Sequence, residues 1–405
     1  MHKILTRIKT VKETAMVQDI SRSIDACASH YGTESAAMKA YLVNGQTKAL
    51  ALPNRGPIKF DKNGNIHPDI LNAYSEFGFY IIEDVLSEEE LKDIKADLAD
   101  MRENFPVHMG AEVDKHGRPA LGVGNKAPNL QWARPLSDPL GGSDMFNGRH
   151  QVKLFEPKAA DDAPPAVPLY LSGSLQFSEA CLRVYGHPDL LKLTEAINGP
   201  DFVPFTEGLF IKDAGVGAAV SWHQDGDTHW DHPEFDQDIH GFNYMGQVYG
   251  STAVNGVWVI PGSHKIGRSN LTKMVEDAGS ERLPDAVPII CNPGDVVINS
   301  RQIIHGSFAN TGYEPRLSIN FGFHKRSSVL NIRGAGMHAE AAIMDENFID
   351  TRSRLIGFAI DARRQRFPNE VPYHYAPFEE RQDEFGWTAE TMSSLKDYNL
   401  MDLSI

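Results

Sequence analysis

A series of short apolar segments between residues 202 and 323 most constrains what this chain can fold into. The segments are rich in β-branched and aromatic residues, and Gly, Pro or Asn residues separate them. Several short strands with turns between them are typical of a sandwich or a jelly-roll barrel. We therefore predict a mainly β fold with flanking helices, whose strands lie at 202–211, 217–223, 241–249, 256–260, 287–290, 295–299 and 316–323.

The rest of the chain has a different pattern. The run 78–82 (GFYII) predicts a buried strand, and Ser87 with Glu90 forms the capping-box signature of a following helix. We expect a turn-rich linker from Pro53 to His67, loops over 105–170 and a helix pair within 173–198. Residues 327–405 return to a helical pattern, with the longest helix expected at 339–367.

Composition excludes several classes of protein. The chain has 54 acidic against 39 basic residues and a net charge of −15, which disfavours a protein that mainly binds nucleic acid. No apolar run is long enough to span a membrane, and the first residues lack the apolar core of a secretory signal. The three cysteines are far apart, so we expect buried thiols and a cytoplasmic protein.

The strongest chemical signal is a pair of residues at strand spacing, His223 and Asp225. Residues two apart share one face of a strand, so both side chains can point into one cavity. His305 follows 82 positions later, near the end of another expected strand. Two histidines and one carboxylate on a barrel form the facial triad of non-haem iron oxygenases. The ordinary alternative is that these are hydrogen-bonded histidines without a metal.

The surrounding motifs carry a family resemblance. Residues 255–265 read NGVWVIPGSHK, Pro293-Gly294-Asp295 follows, and His305-Gly306-Ser307 precedes Arg316 by eleven positions. In order and spacing these elements resemble the phytanoyl-CoA dioxygenase family over residues 70–326. The resemblance implies a double-stranded β-helix, or cupin-like jelly-roll, core and dependence on Fe(II) and 2-oxoglutarate.

The resemblance also implies roles for individual residues. It makes His223, Asp225 and His305 the iron ligands and catalytic residues, and it pairs Arg316 with the far carboxylate of 2-oxoglutarate. A planar guanidinium grips a carboxylate through two hydrogen bonds, which suits that role. Further candidates for contact with the co-substrate are Ser307, Ser318, Gln224 and Lys212, although the Gln224 side chain belongs to the strand face opposite that of the ligands.

The expected reaction is hydroxylation, or another oxidation, of a C–H bond, with release of succinate and CO₂. It consumes O₂, and ascorbate is a candidate reductant. The carboxylate of Asp225 disfavours halogenation, because halogenating relatives replace it by a small residue. Two alternatives stay open: a metal-dependent cupin-like isomerase or lyase, for which Arg316 would need no carboxylate partner, and a non-catalytic scaffold protein of the same fold.

Three regions then describe the chain: an N-terminal extension (1–69), a catalytic jelly-roll domain (70–326) and a helical C-terminal extension (327–405). The extensions are candidates for covering the cavity or for a homodimer contact. We expect a small-molecule substrate and neither nucleic acid nor membrane as partner. An acyl-CoA, an amino acid, a lipid and a secondary metabolite all fit, with Arg134, Arg149 and Lys153 as candidate cations for a CoA. The polar segment 228–240 favours a loop over the cavity mouth rather than a second metal site.

Overall fold

Two β-sheets form the centre of the molecule. The structure, a computed structural model, describes residues 20–143, 148–225, 241–334 and 342–402. Its strands are β1 Arg55–Pro57, β2 Phe79–Glu83, β3 Leu130–Ala133, β4 Val167–Ser172, β5 Phe202–Lys212, β6 Val220–His223, β7 Phe242–Gln247, β8 Trp258–Val259, β9 Val287–Pro288, β10 Val296–Ser300, β11 His305–Ser307, β12 Arg316–Lys325, β13 Arg333–Gly334 and β14 Ala342–Ile343.

Helices surround the sheets. They are α1 Ser21–Ser29, α2 Ser35–Ala51, α3 Pro68–Phe77, α4 Glu88–Glu103, α5 Glu179–Tyr185, α6 Pro188–Asn198, α7 Leu271–Ala278, α8 Arg326–Val329, α9 Glu346–Arg366 and α10 Ala389–Ser394. Short 3₁₀ helices lie at Gly32–Glu34, Ser174–Gln176, Ser263–Lys265, Ala376–Phe385 and Tyr398–Met401. None of the helices described here is long and apolar enough to cross a lipid bilayer.

The strand order is that of a jelly roll. A major sheet of eight strands has the order β1-β2-β10-β7-β12-β5-β4-β3, and a minor sheet of four has the order β6-β11-β8-β9. Apart from β1, which is parallel to β2, the paired strands of both sheets are antiparallel. Apolar side chains from β2, β7, β8 and β10 fill one end of the space between the sheets. The predicted fold class is confirmed.

Most of the predicted elements are present. All seven expected strands exist, mostly shorter than their sequence patterns, and the 78–82 run forms β2. The capping box of α4 forms as expected: the Glu90 amide donates to Ser87 Oγ at 3.2 Å and the Ser87 amide donates to Glu90 Oε2 at 2.9 Å. The three cysteines are buried thiols, as predicted.

Two expectations about loops were wrong. The segment 53–67 is not only a linker, because Arg55–Pro57 pairs with β2 at the edge of the major sheet. The region 105–170 contains β3 and most of β4, which extend the opposite edge of that sheet. β1 itself consists of Arg, Gly and Pro, while β3 and β4 are short and have a Pro within or close to them, so the turn signals dominate the pattern.

The N-terminal helices cover the outer face of the minor sheet. Met38 and Leu42 of α2 are fully buried in one cluster with Trp222 and Trp258 of that sheet. Gly45 allows this close approach, because a Cβ atom there would lie 2.3 Å from the Trp258 ring. The described part of the N-terminal extension therefore forms a layer on the barrel.

The C-terminal extension covers the outer face of the major sheet. Ile356 and Phe358 of α9 share a hydrophobic core with residues of β5, β7 and β12. A buried polar cluster adds to this contact: Arg352 Nε donates to Asp402 Oδ1 at 3.0 Å, and Asp402 Oδ2 accepts from the Glu207 amide at 3.2 Å. The Tyr398 hydroxyl donates to the Glu207 carboxylate on the same face.

Candidate active site

The minor sheet brings the two predicted histidine ligands side by side. His223 ends β6, and it pairs directly with His305 at the start of β11. The ring centroids of the two imidazoles lie 4.0 Å apart. Asp225 follows β6, where its amide donates to the Arg301 carbonyl oxygen at 2.8 Å. The His-x-Asp spacing and the antiparallel register together place all three side chains at one point.

The ligand atoms of the triad converge at metal-binding distances. His223 Nε2 lies 3.5 Å from Asp225 Oδ1, and His305 Nε2 lies 3.9 Å from Asp225 Oδ2. One ligand atom from each of the three residues lies within 4.8 Å of the others. This set of two imidazoles and one carboxylate is the ligand set of a non-haem iron site.

Backbone hydrogen bonds fix the tautomer of both histidines. His223 Nδ1 lies 2.7 Å from the Ser221 carbonyl oxygen, and His305 Nδ1 lies 2.9 Å from that of Ile303. A carbonyl oxygen can only accept, so each Nδ1 carries the proton and each Nε2 presents a lone pair to the cavity. Burial lowers the pKa of His223 well below its usual range, which keeps that imidazole neutral and able to bind a metal.

Two residues that the sequence analysis did not predict support the triad. The His150 ring stacks on the His223 ring with centroids 4.4 Å apart, and His150 Nδ1 lies 3.2 Å from Ser221 Oγ. Asn243 Nδ2 donates to Asp225 Oδ2 at 3.0 Å. Hydrogen bonds of this kind orient ligating side chains. His150 carries no motif, whereas Asn243 stands at a buried position of a predicted strand, which could have marked it.

A buried cation lies at one end of the cavity. Arg316 begins β12, is 4% exposed, and donates from Nη2 to Ser318 Oγ at 3.1 Å. Within the described part of the chain Arg316 has no carboxylate partner, and its Nε has no hydrogen-bond partner. Burial lowers the pKa of Arg316 to about 10, so the guanidinium stays charged at neutral pH. The site is built to receive an anion.

Lys212 lies beside Arg316 on the neighbouring strand. The two residues are register partners on β5 and β12, and Lys212 is 3% exposed. Its Nζ donates to the Ser307 hydroxyl and to the Phe308 carbonyl oxygen. Burial, together with the Arg316 charge, lowers the pKa of Lys212 well below its usual range. The structure thus brings four of the predicted co-substrate residues together: Arg316, Ser318, Lys212 and Ser307.

Gln224 is not part of this group. Its Nε2 donates to the carbonyl oxygens of Gly267 (3.0 Å) and Gln302 (2.7 Å), and its Oε1 accepts from the Ser269 amide at 2.9 Å. The side chain therefore lies on the strand face opposite the ligands and joins three backbone segments, which corrects the expected contact with the co-substrate.

Other candidates from the sequence are placed as follows. Arg134 and Lys153 both pair with Glu156, which offsets part of their charge. The polar segment 228–240 lies outside the described residues, and its expected role is left as a prediction.

The triad and Arg316 line a cavity with about 640 Å³ of empty space, counted to its open mouth. Asn299, Asn320, Tyr170 and Phe210 also line it.

The residues present fit both an iron ion and a 2-oxo dicarboxylate. The triad offers two imidazoles and one carboxylate, and the guanidinium of Arg316, which has no carboxylate partner among the described residues, suits the far carboxylate of a dicarboxylic acid. A jelly-roll barrel that carries such a triad on its minor sheet defines the class of non-haem, 2-oxoglutarate-dependent oxygenases.

Comparison with known proteins identifies the family. The family model described as phytanoyl-CoA dioxygenase (PhyH) matches residues 74–318. This chain belongs to that family and is an oxygenase-type enzyme, as the motifs around His223 and His305 predicted. A search of curated proteins gives no significant match.

Solved structures include several similar chains. EctD from S. alaskensis with 2-oxoglutarate and 5-hydroxyectoine is 16% identical, with 68% of this chain and 83% of that chain covered and a TM-score of 0.47. The carbocyclase SnoK from nogalamycin biosynthesis is 17% identical, with coverages of 67% and 87% and a TM-score of 0.41. EvdMO1 is 19% identical with a TM-score of 0.42, and the match covers 62% of this chain but only 48% of EvdMO1.

Proposed function

We propose that this protein is an Fe(II)- and 2-oxoglutarate-dependent dioxygenase that hydroxylates a C–H bond of a small organic molecule. The observation that supports this most directly is a metal-binding triad and an unpaired buried arginine in one cavity. An isomerase or lyase of the same fold would have no use for a buried cation at that position, and a scaffold protein would need neither feature.

Some residues of the site would bind the iron or the co-substrate, and others would orient those ligands. His223, His305 and Asp225 would hold the iron, while Asn243 and the carbonyl oxygens of Ser221 and Ile303 fix their orientation. Arg316 and Ser318 would hold the far carboxylate of 2-oxoglutarate. Lys212 and Ser307 would add an amine and a hydroxyl beside it. Together they would fix the keto-acid end of the co-substrate next to the triad.

Iron held by His223, Asp225 and His305 would supply the oxidising chemistry, by which one oxygen atom of O₂ would enter succinate as 2-oxoglutarate loses CO₂ and the other would enter the substrate as a hydroxyl group. Ascorbate would act as a reductant that restores Fe(II).

We also propose the domain boundaries given above, with residues 70–326 as the catalytic domain. We further propose a homodimer contact through the extensions, which sedimentation of the purified protein tests.

An anaerobic titration tests the function. Fe(II) and 2-oxoglutarate added to the protein should produce the weak visible charge-transfer band of a keto-acid chelate. The variant His223→Ala should lose the band, whereas His374→Ala, which removes a half-exposed histidine of the C-terminal extension, should keep it. A wild-type protein that gives no band would contradict the proposal.

A further inference from the structure

Three asparagines on the major sheet form a polar floor in the cavity. Asn243, Asn299 and Asn320 all line it, and the side-chain oxygen of each is buried without a hydrogen-bond partner among the described residues. Asn243 is 8% exposed and Asn299 is 2% exposed. We call these three residues the amide floor.

The orientation of two of these amides follows from their other contacts. Asn243 Nδ2 donates to the Asp225 carboxylate, so a flipped amide would set two oxygens against each other. Asn299 Nδ2 lies 3.5 Å from the Ser300 carbonyl oxygen, at the long limit of a hydrogen bond, and a flip would replace that contact with the same repulsion. Each amide therefore presents its oxygen, an acceptor, to the cavity.

The sheet register brings the three oxygens within reach of one small ligand. Asn299 and Asn243 are direct partners on β10 and β7, and Asn320 is the partner of Met245, two residues along β7. Because β7 lies between β10 and β12, Asn299 and Asn320 are two strand spacings apart, about 10 Å, and are offset by two residues, about 7 Å, along the strands. The amide floor thus extends over roughly 12 Å between its outer Cα atoms, a length that a ligand with several hydroxyl groups can bridge.

Buried acceptors without donors are rare in native proteins because they are destabilising, so the amide floor needs a partner. The co-substrate cannot serve, since a keto-acid dianion has no hydrogen-bond donor. The donors must then come from water or from the substrate. Among the described lining residues the one carboxylate is Asp225, which faces the metal site, and Arg316 is a buried cation. No acidic side chain of the described lining is then left to pair with a cationic substrate, so uncharged hydroxyl groups are the fitting donors.

We propose that the cavity binds a compact, uncharged, polyhydroxylated substrate whose hydroxyl groups donate to the amide floor. This rests on the proposed function and names its substrate class. The rings of Tyr170 and Phe210, whose centroids lie 4.6 Å apart, line the same cavity and offer an apolar wall for the C–H faces of such a molecule. Arg134 and Lys153, the candidate cations for a CoA, are not among the described residues that line this cavity, and both pair with Glu156.

Spectroscopy on the loaded protein tests this proposal separately from the function. The chelate band is first recorded with Fe(II) and 2-oxoglutarate alone, and if it is missing, the proposed function fails. With the band present, the neutral polyols myo-inositol, methyl glucoside and glycerol are titrated in turn, followed by butane-1,4-diamine and butyryl-CoA. We expect at least one polyol to shift the band, and the diamine and the acyl-CoA to leave it unchanged. A shift with the diamine or the acyl-CoA alone, or with none of the compounds, would overturn the proposal.

Variants connect the binding to the amide floor. Asn299→Leu should weaken polyol binding about tenfold, which corresponds to the loss of one buried hydrogen bond. The matched control is Asn198→Leu, since Asn198 is also a buried asparagine whose side-chain atoms have no partner, but it does not line the cavity. Neither variant should unfold below the wild-type temperature, because each removes a buried amide oxygen that has no hydrogen-bond partner among the described residues. Unchanged polyol affinity in Asn299→Leu would show that only water occupies the amide floor and would overturn the proposal.

Discussion

Lys212 and Arg316 lie opposite each other on β5 and β12, so two buried side chains of the same charge type stand side by side at one end of the cavity. No carboxylate of the described chain lies between them to form a salt bridge with Arg316. Such an arrangement is unfavourable until an anion binds. It explains why the co-substrate end of the cavity should bind a dicarboxylate strongly.

Arg316→Ala should raise the KM for 2-oxoglutarate by roughly a hundredfold, because removing one partner of a buried charge pair costs about 2–5 kcal/mol. Arg316→Lys should restore only part of the affinity, since an ammonium cannot form two parallel hydrogen bonds. Steady-state measurement of succinate formation checks both variants. The exposed residue Lys92 provides the control Lys92→Ala. Equal KM values for Arg316→Ala and the wild type would show that the anion binds elsewhere.

Gln224→Leu should destabilise the protein without changing the KM for 2-oxoglutarate. The substitution leaves three backbone groups, at Gly267, Gln302 and Ser269, without their side-chain partner. Each such loss costs about 1–3 kcal/mol when the group stays buried. Thermal denaturation and succinate kinetics on the same preparation measure the two effects. A raised KM with unchanged stability would instead place Gln224 at the co-substrate.

Asn243→Leu should weaken metal binding by about 10–100-fold, because Asp225 loses the hydrogen bond that orients its carboxylate. Titration with Co(II), followed by its visible spectrum, gives the affinity without turnover. The Asn198→Leu variant again serves as the control. If Asn243→Leu bound Co(II) as tightly as the wild type, the orientation of Asp225 would have to come from its backbone alone.

The contact between Glu207 and the C-terminal extension should depend on pH. Burial raises the pKa of Glu207 to about 7, above the value of about 4.5 expected for an unfolded glutamate. The folded protein then binds a proton more tightly than the unfolded chain, so this group stabilises the fold at low pH and the contribution is lost as the pH rises from about 4.5 to 7. Glu207→Gln, which stays neutral, should flatten the fall in unfolding free energy across that range. Urea denaturation at pH 5 and pH 8 measures this fall in both proteins. An equal fall in unfolding free energy for Glu207→Gln and the wild type would show that Glu207 is not the titrating group.

The sequence predicted that His223, Asp225 and His305 lie together, which the structure shows, and their binding of a metal remains a prediction. His223 and Asp225 are two residues apart in one predicted strand. The motif around His305 predicted the position of the third residue near another strand. The same alternation places Arg316, Ser318 and Asn320 on one face of β12, so Asn320 could have been found from the predicted strand. Gln224 falls on the opposite face by the same rule.

Other features depend on contacts that no single-chain pattern records. Asn243 and Asn299 are isolated residues whose importance follows from the pairing of β7 with β10. The strand β1 is three residues long, and only its pairing with β2 distinguishes it from a turn-rich linker. His150 is adjacent to His223 through tertiary packing, since it follows a segment with no strand pattern.

The side-chain amide of Asn243 donates from Nδ2 to the Asp225 carboxylate and presents Oδ1 to the cavity. A hydroxyl group that donates to its Oδ1 withdraws electron density from the amide and makes the Nδ2–H group a stronger donor to Asp225 Oδ2. Binding of the proposed substrate would thereby alter the hydrogen bond to the carboxylate that we propose as a metal ligand, through one planar side chain.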